Sequence, residues 1–250
     1  MEESKDEKII LRDSFLRKVV YAINKAIEDD IPNYLRENKN ETNNALLQLK
    51  GDYINKNLRK HVVGNDIELV PFKRHSWSGR IILDRANRLT YTITTLMTLM
   101  SIPKKKGRTR PHFLHSILYA ENRSCKAQFK QMDLDFGVTQ FDSEELEKDY
   151  ESINQGLIDK NENYRHYVIA YKSEGDEIAE IVLRLLDKDF DIVDEASLMN
   201  YVRPDFARLT DIEIAEDTEE AAGENDSKNL VAVKTGFKPK LREIDKPAVE

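Results

Sequence analysis

The sequence predicts an α+β protein in which an N-terminal helix pair packs on a mostly antiparallel sheet. Apolar residues recur at helical spacing within residues 13–62, and runs rich in β-branched and aromatic residues follow, separated by short polar turns. The chain has 250 residues, of which 40% are hydrophobic, so it can bury a substantial core. We therefore expect a single α+β domain over residues 8–213.

The N-terminal helices are each predicted from one apolar face. Asp13 is of a residue type that caps helices, and apolar residues recur three and four positions apart until Pro32, where the first helix should end. A second helix is predicted over residues 42–62 and stops at Gly64. Because both helices are amphipathic, we expect them to pack on the sheet that follows.

Three short strands are predicted next, at residues 67–72, 80–83 and 89–95. Residues 84–88 contain Asp and Asn, which favour tight turns, so we interpret this segment as the hairpin loop of a three-stranded antiparallel meander. Residues 95–102 fit either a buried helical turn or a continuation of the third strand.

An exposed loop is predicted from Pro103 to Pro111, because prolines bound the segment and it carries five cations and no acid. Pro111 suits the first turn of the helix that follows. A further helix should begin at Ser143, with this residue as its cap and carboxylates in its first turn.

The second half of the sheet is predicted from two apolar runs. Residues 167–171 form a strand, and residues 178–186 are its hairpin mate or a helix, of which we favour the strand. Residues 195–201 fit a short helix that is closed by Pro204.

The C-terminal part of the sequence should lie outside the domain. Residues 214–229 form an acidic tether, whose stretch 216–227 has no large apolar residue and cannot offset its ordering entropy, so we expect it to be disordered. Residues 230–250 form a basic tail with enough apolar residues to add an edge strand but not to fold alone.

The charge of the chain is divided into opposed blocks. The net charge is −7, but residues 56–130 carry 16 basic and 4 acidic side chains, whereas residues 131–227 carry 8 basic and 28 acidic ones. We call residues 56–130 the basic block. Such a density of cations releases counterions from phosphate backbones and so favours association with nucleic acid.

The basic block contains the residues for which we predict contact with nucleic acid. Trp77 lies among cations and can stack on a base, as aromatic residues of single-strand binders do. Gly107 allows the cationic loop around it to follow a curved backbone. Phosphate contacts of this kind carry little sequence specificity. The predicted contact residues are Lys73, Arg74, Trp77, Arg80, Lys104, Lys105, Lys106, Arg108 and Arg110.

Our leading hypothesis is therefore a non-enzymatic, nucleic-acid-associated accessory protein. Two other interpretations of the same charges stay open. The cations can pair with carboxylates of the acidic half of the molecule, or the acidic half, residues 142–227, can dock a basic protein partner as an adaptor or inhibitor. An acidic tail that folds over the basic block would make nucleic-acid binding autoinhibited.

A metal-dependent nuclease is the third hypothesis. It requires carboxylates that cluster on adjacent strands. Glu68 and Asp84 lie on or beside predicted strands of the basic block, although Asp84 is better explained as a turn residue.

A metal site is a further candidate, because His112 and His115 are three positions apart and would share a helical face. The sequence has no HExxH zinc signature, nucleophile elbow or phosphate-cradling loop, so we assign no catalytic residue, no cofactor and no metal. The further ligands considered for the histidines are His61, His75, Asp133 and Asp135.

The single cysteine, Cys125, cannot form an internal disulfide, and the N-terminal residues contain no apolar signal segment. The longest apolar-leaning run, residues 89–102, falls short of the ~20 residues that a membrane-spanning helix needs. We therefore expect a cytoplasmic protein with no membrane association.

Three stretches, residues 77–91, 110–122 and 192–202, resemble an uncharacterised family of bacterial proteins found in Gram-positive genomes and their prophages. The resemblance implies an accessory role in a bacterium or a mobile element. It supplies no known activity, so it assigns no catalytic residue.

Overall fold

A six-stranded sheet runs through the middle of the protein. The computed structural model describes residues 13–64, 66–74, 77–105, 107–127, 141–159 and 162–202. The strands are β1 (Ile67–Arg74), β2 (Trp77–Asp84), β3 (Leu89–Thr95), β4 (Arg165–Glu174), β5 (Glu177–Leu186) and β6 (Ile192–Ser197). They lie side by side in chain order, and all neighbouring pairs are antiparallel except β3 and β4, which are parallel. The predicted α+β class and the mostly antiparallel sheet are confirmed.

Helices cover the sheet. They are α1 (Asp13–Lys25), α2 (Ile31–Glu37), α3 (Leu46–His61), α4 (Leu96–Ser101), α5 (Phe113–Glu121) and α6 (Ser143–Asn154). A π-helical turn, Ala26–Asp30, joins α1 to α2, and a 3₁₀ turn, Met199–Tyr201, follows β6. Helices α4 to α6 lie within residues 96–164, which connect β3 to its parallel neighbour β4. A parallel pair needs such a long crossover, because a tight turn can join only antiparallel strands.

The N-terminal helix pair, α1 and α3, packs on one face of the sheet, as predicted. Apolar side chains of both helices share a buried core with side chains of β3, β4 and β5. The ring of Phe15 on α1 lies 4.8 Å from that of Tyr91 on β3. The side-chain amide of Asn57 on α3 donates to the Ala22 carbonyl at 3.3 Å, which fixes the two helices against each other.

The α-helical geometry of the first helix ends at Lys25, before the end predicted near Ile31 and Pro32. The chain passes through the π-helical turn and continues as α2, with Pro32 in the first turn of that helix. A proline is compatible with this position because its missing N–H has no intrahelical partner there.

Helices α4, α5 and α6 lie on the opposite face of the sheet. Their apolar side chains share a second core with Phe72 and Ile81 of the first hairpin and with Val168 and Ala170 of β4. The sheet is therefore covered on both faces over its central strands. Residues 95–102, which fitted two predictions, form α4, and the Thr95 hydroxyl accepts from the Thr98 N–H as the helix cap.

Two predicted helix starts are displaced by one residue. The cap of α5 is His112, so Pro111 precedes the helix instead of lying in its first turn. The cap of α6 is Asp142, whose carboxylate accepts from the Glu144 N–H at 3.3 Å, and Ser143 is the first helical residue.

The predicted short helix at residues 195–201 is wrong for its first half. Residues 192–197 are β6, which pairs with β5, and only the following 3₁₀ turn is helical. Pairing with β5 outweighs the local helical preference, and Arg184 on β5 donates to the Glu195 carboxylate across the two strands at 2.5 Å.

The predicted tether, residues 214–229, and the predicted tail, residues 230–250, lie outside the described residues, as do both boundaries of the predicted domain. Among the residues that the structure describes, no helix has the length and apolar character needed to cross a membrane.

Candidate nucleic-acid interface and an acidic cleft

The end of the hairpin formed by β1 and β2 holds two of the predicted contact residues. Arg74 and Trp77 are directly opposed in the register of the two strands, so their side chains lie on the same face of the sheet. The indole of Trp77 is 48% exposed and stacks on Phe113, the first residue of α5, with ring centroids 5.4 Å apart and an interplanar angle of 20°. One side of the indole is therefore held by the protein.

Gly79 makes this aromatic packing possible. It is opposed to Phe72, and a Cβ atom at position 79 would lie 2.7 Å from Cη2 of Trp77 and would also clash with the Phe72 ring. The rings of Phe72 and Trp77 meet edge to face, with centroids 5.5 Å apart. The missing side chain at position 79 thus lets both rings lie over the backbone of β2.

A shallow pocket of about 300 Å³ lies beside Trp77. It brings together three of the predicted contact residues, which come from the hairpin and from the cationic loop. Its lining residues are Arg74, Trp77, Arg110, Pro111, His112 and Phe113.

Arg74 has a structural role in this pocket. Its guanidinium donates to the Pro111 carbonyl at 2.9 Å and to the Asp149 carboxylate of α6 at 2.7 Å. Both charged side chains are only about one-fifth exposed, and the Ser116 hydroxyl donates to the other oxygen of Asp149 at 2.5 Å. Arg74 therefore pairs with a carboxylate of the acidic half of the chain, which was one of the open alternatives.

The remaining predicted cations divide between two places. Strand alternation puts Lys73 and Arg80 on the face of the hairpin opposite to Trp77, because they are opposed to Ser78 and Pro71 respectively. The other described cations lie in the loop after α4, while Lys106 is outside the described residues. Within the described part of the chain, no ion pair is formed by Lys73, Arg80, Lys104, Lys105 or Arg108.

Arg108 contributes an unsatisfied donor near the pocket. Its Nε is buried and has no hydrogen-bond partner among the described residues. Burial is the main cause of the lowered pKa values of His112 and His115, and the charge of Arg108 adds to both shifts.

His112 and His115 cap helix α5 through their ring nitrogens. The Nδ1 of His112 accepts from the Leu114 N–H at 3.3 Å, and the Nδ1 of His115 accepts from the His112 N–H at 3.2 Å. Burial, with the charges of Arg108 and Arg74, lowers the pKa of His112 to about 3 and that of His115 to about 4, so both are neutral at pH 7. No group of three or more metal-binding side chains occurs among the described residues; His75, Asp133 and Asp135 lie outside them.

The carboxylates considered for a nuclease do not converge. Glu68 is opposed to Leu83, so it lies on the face opposite to the neighbouring Asp84. Glu68 accepts from Nε of Arg85 at 2.5 Å. Asp84 accepts from the backbone and the side-chain amide of Asn87, at 3.1 Å and 2.6 Å, which is the turn role expected for it.

The acidic half exposes carboxylates along one helix. Those of α6 that face outward are Glu144, Glu145, Glu147 and Glu151. Glu144 is paired with Lys148 of the same helix at 2.7 Å.

A buried polar network lies under α5, in a region where we predicted no site. His166 on β4 has no exposed side-chain surface, and its Nδ1 and Nε2 lie 2.7 Å and 2.9 Å from the hydroxyls of Thr90 and Thr92 on β3. The Thr90 hydroxyl donates to Oε2 of Glu121, and the Tyr150 hydroxyl of α6 donates to Oε1 at 3.0 Å. When Glu121 is ionised, Thr90 gives its one proton to the carboxylate, so Nδ1 of His166 then carries the proton of the imidazole.

Burial controls the charge of this network. It raises the pKa of Glu121 to about 7, against the hydrogen bonds from Thr90 and Tyr150, which favour the ionised form. Burial also lowers the pKa of His166 to about 3 and raises that of Tyr150. The histidine and the tyrosine are therefore neutral near pH 7, whereas Glu121 is poised between its two forms.

The network opens into a cleft of about 670 Å³, which we call the acidic cleft. Its walls are the end of α5 with the turn that follows, the middle of α6, and the segment that leads into β4. The lining residues that carry charge or an aromatic ring are Tyr119, Glu121, Arg123, Glu147, Tyr150, Asp159, Glu162, Tyr164 and Arg165.

A signal for this cleft was present in the sequence. Glu121 follows Leu114, Ile117 and Leu118 at helical spacing, so it lies on the apolar face of α5, where a carboxylate is unusual. Its partners on β3 and β4 had no such signal, because only the parallel pairing of these two distant strands places Thr90 beside His166.

Comparisons with known proteins identify a family. No curated protein and no solved structure matches the chain. A model described as a family of unknown function, DUF5986, matches residues 8–249, which is nearly the whole sequence. This agrees with the resemblance to an uncharacterised family. The chain belongs to family DUF5986.

Proposed function

We propose that the protein is a non-enzymatic accessory protein that binds single-stranded nucleic acid at the hairpin–loop surface, formed by Trp77 and the cationic loop 104–110. The observation that carries this proposal is the half-exposed indole of Trp77, which lies beside Arg110 in one pocket. A bacterial or mobile-element origin and a cytoplasmic location belong to the same proposal.

Trp77 suits base stacking because one side of its ring is already packed. Phe113 and Phe72 hold the indole, so stacking on its exposed side would cost little side-chain entropy. Such a stack stabilises binding by about 1–3 kcal/mol per base and tolerates any base, since every base has a π-face. The bases of a duplex are not accessible in this way, which is why we propose a single strand.

The loop cations supply phosphate contacts. Lys104, Lys105 and Arg108 form no ion pair within the described part of the chain, and the buried Nε of Arg108 has no partner there. Phosphate oxygens would provide the acceptors that these side chains lack within the described part of the chain. Lys73 and Arg80 lie on the other face of the hairpin, so we assign them no role in holding the same stretch of strand.

The test is a fluorescence-anisotropy titration of labelled single-stranded and duplex DNA and RNA at several salt concentrations. Three phosphate contacts on a single strand, one for each of Lys104, Lys105 and Arg108, predict an affinity that falls about 20-fold between about 50 and 200 mM salt. Trp77→Ala should weaken binding at every salt concentration by about tenfold, which corresponds to one lost stack.

A loop variant tests whether the loop cations bind the nucleic acid, as opposed to the exposed cations of the protein in general. Neutralising Lys104, Lys105 and Arg108 with glutamine should reduce the slope of log affinity against log salt by about 2. The matched control replaces Lys60, Lys148 and Lys172 with glutamine. These lysines are exposed but lie outside the cationic loop, so the control should leave the slope nearly unchanged. Equal effects of the two triple variants, or no binding at low salt, would reject the interface.

The adaptor hypothesis is the second candidate, because α6 exposes a row of carboxylates. If the nucleic-acid titrations fail, a titration with a basic peptide such as polylysine tests it. Replacing Glu144, Glu145 and Glu151 with glutamine should then abolish binding.

A further inference from the structure

We propose that the acidic cleft is a binding site for a linear polyamine, with the carboxylate of Glu121 receiving one ammonium group at the floor of the cleft. This site is separate from the hairpin–loop surface, and the proposal does not depend on nucleic-acid binding.

Glu121 lines the cleft, and its carboxyl group is buried and held in a fixed position. The side chain of Glu121 is 4% exposed, and both of its oxygens accept a hydrogen bond from the protein, one from Thr90 and one from Tyr150. Each carboxylate oxygen has a second lone pair, so the group can still accept from a donor that enters the cleft. A cation is the donor that a buried carboxylate binds most strongly.

The walls of the cleft suit the methylene chain of a polyamine. The cleft has the volume of a small-molecule site, and its lining includes the rings of Tyr119, Tyr150 and Tyr164. Methylene groups pack on such rings, and ammonium groups are attracted to their faces. A linear polyamine presents both kinds of group in alternation.

The charge of the rim has the required sign. Glu147, Asp159 and Glu162 line the cleft and are exposed, and Glu147 and Glu162 form no ion pair within the described residues. A polyamine with one ammonium group on Glu121 can therefore place its other ammonium groups against carboxylates of the rim.

Of the two arginines of the cleft, one already covers a tyrosine ring of the cleft wall and the other lies on the opposite face of the sheet. The guanidinium of Arg123 lies over the ring of Tyr119, 5.5 Å from its centroid. Arg165 alternates with His166 along β4, so it lies on the other face of the sheet with Tyr167, where its charge opposes the rise in the pKa of that hydroxyl. The groups that hydrogen-bond with Glu121, Thr90 on β3 and Tyr150 on α6, are uncharged, as is His166 beside Thr90.

Binding should be linked to the loss of a proton. Burial leaves Glu121 with a pKa of about 7, and a cation bound beside it favours the ionised carboxylate. If the ammonium group requires that form, the apparent affinity should be about tenfold higher at pH 8 than at pH 6. His166 and Tyr150, the other titratable groups of the network, keep their charge over this range because burial moves their pKa values outside it.

The experiment is isothermal titration calorimetry of the full chain with spermidine at 150 mM salt, at pH 6, 7 and 8, in two buffers with different ionisation enthalpies. We expect saturable binding of one equivalent, with an affinity that rises with pH and a buffer-dependent heat at pH 7 that reports proton release. Glu121→Gln should weaken binding at pH 8 about tenfold or more and remove the dependence on pH and buffer.

A second pair of variants keeps the test valid if the change at Glu121 disturbs folding. Glu147→Gln with Glu162→Gln removes two rim charges and should weaken binding while proton release is preserved. The control, Glu144→Gln with Glu145→Gln, removes two exposed charges of α6 that do not line the cleft, and it should bind as the wild type does. Absence of saturable binding, or equal affinities for the rim and the control variants, would overturn the proposal.

Discussion

Glu121 on α5 and His166 on β4 approach within 3.9 Å, and the hydroxyl of Thr90 links them by hydrogen bonds to both. The pair is not an ordinary ion pair, because burial disfavours the charged form of each partner. The two groups therefore make opposite contributions to the pH dependence of folding.

Glu121 should make the protein less stable as the pH rises. Its pKa is about 7 in the folded protein and near 4.5 when the chain is unfolded, so the folded state binds the extra proton between these values. The associated stability is present below pH 4.5 and is lost as the pH rises through about 7, with a magnitude of about 3 kcal/mol at most.

Urea denaturation of the wild type and Glu121→Gln at half-unit steps from pH 4 to 8 measures this effect. The free energy of unfolding of the variant, relative to that of the wild type, should increase across the window. Parallel curves for the two proteins would show that Glu121 ionises in the folded state as it does in water.

His166 should have the opposite effect. Its pKa is about 3 in the folded protein and about 6.5 in the unfolded chain, so the unfolded state binds the extra proton between these values. Stability is fully present above pH 6.5 and is lost as the pH falls toward 3. In His166→Gln the slope of the free energy of unfolding against pH should decrease by about 1.4 kcal/mol per unit within this window. An unchanged slope in acid titrations followed by circular dichroism would contradict the buried, neutral histidine.

The cross-strand packing at Gly79 predicts opposite signs for two glycine substitutions. Gly79→Ala places a Cβ in the rings of Phe72 and Trp77 and should lower the free energy of unfolding by about 1–3 kcal/mol. Gly51→Ala, within α3, meets no atom within 4 Å and should raise it by about 0.5–1 kcal/mol. Tryptophan fluorescence during urea unfolding reports both values, and a destabilised Gly51→Ala would remove the basis of the comparison.

Arg74 should stabilise the contact between the hairpin, the cationic loop and α6. Arg74→Met leaves the Pro111 carbonyl and one oxygen of Asp149 without their charged donor, so we expect a loss of about 2 kcal/mol. Lys148→Gln, at an exposed ion pair of the same helix, is the matched control and should change stability by less than about 0.5 kcal/mol. Thermal unfolding of the two variants measures the difference, and equal melting temperatures would show that Arg74 is solvated.

Local chemistry was sufficient to predict much of the fold. The turn between β2 and β3 follows from Asp84 and Asn87, which hydrogen-bond to each other, and the hairpin between β4 and β5 follows from two apolar runs around Gly175. β6 was missed because its local composition favours a helix, whereas pairing with β5 depends on a neighbour that the segment itself does not reveal.

The candidate sites were also predictable from the sequence only in part. The sequence predicted that Trp77 lies among cations, because the composition of the hairpin and of the loop is easily recognised. Three of the predicted contact residues line one pocket. The sequence could not show that Lys73 and Arg80 lie on the other face, which depends on the register of β1 and β2. Nor could it place Glu121 beside His166, because their contact requires the long crossover to return to the sheet.

The single parallel pairing, between β3 and β4, has a consequence for folding. Every other strand pair is connected by a short turn, and such local contacts form quickly. The β3–β4 contact must instead close a loop of residues 96–164, which makes it the contact with the largest entropic barrier in the sheet. We expect the two halves of the sheet to form early as separate hairpin units, and the acidic cleft to be completed only when they join.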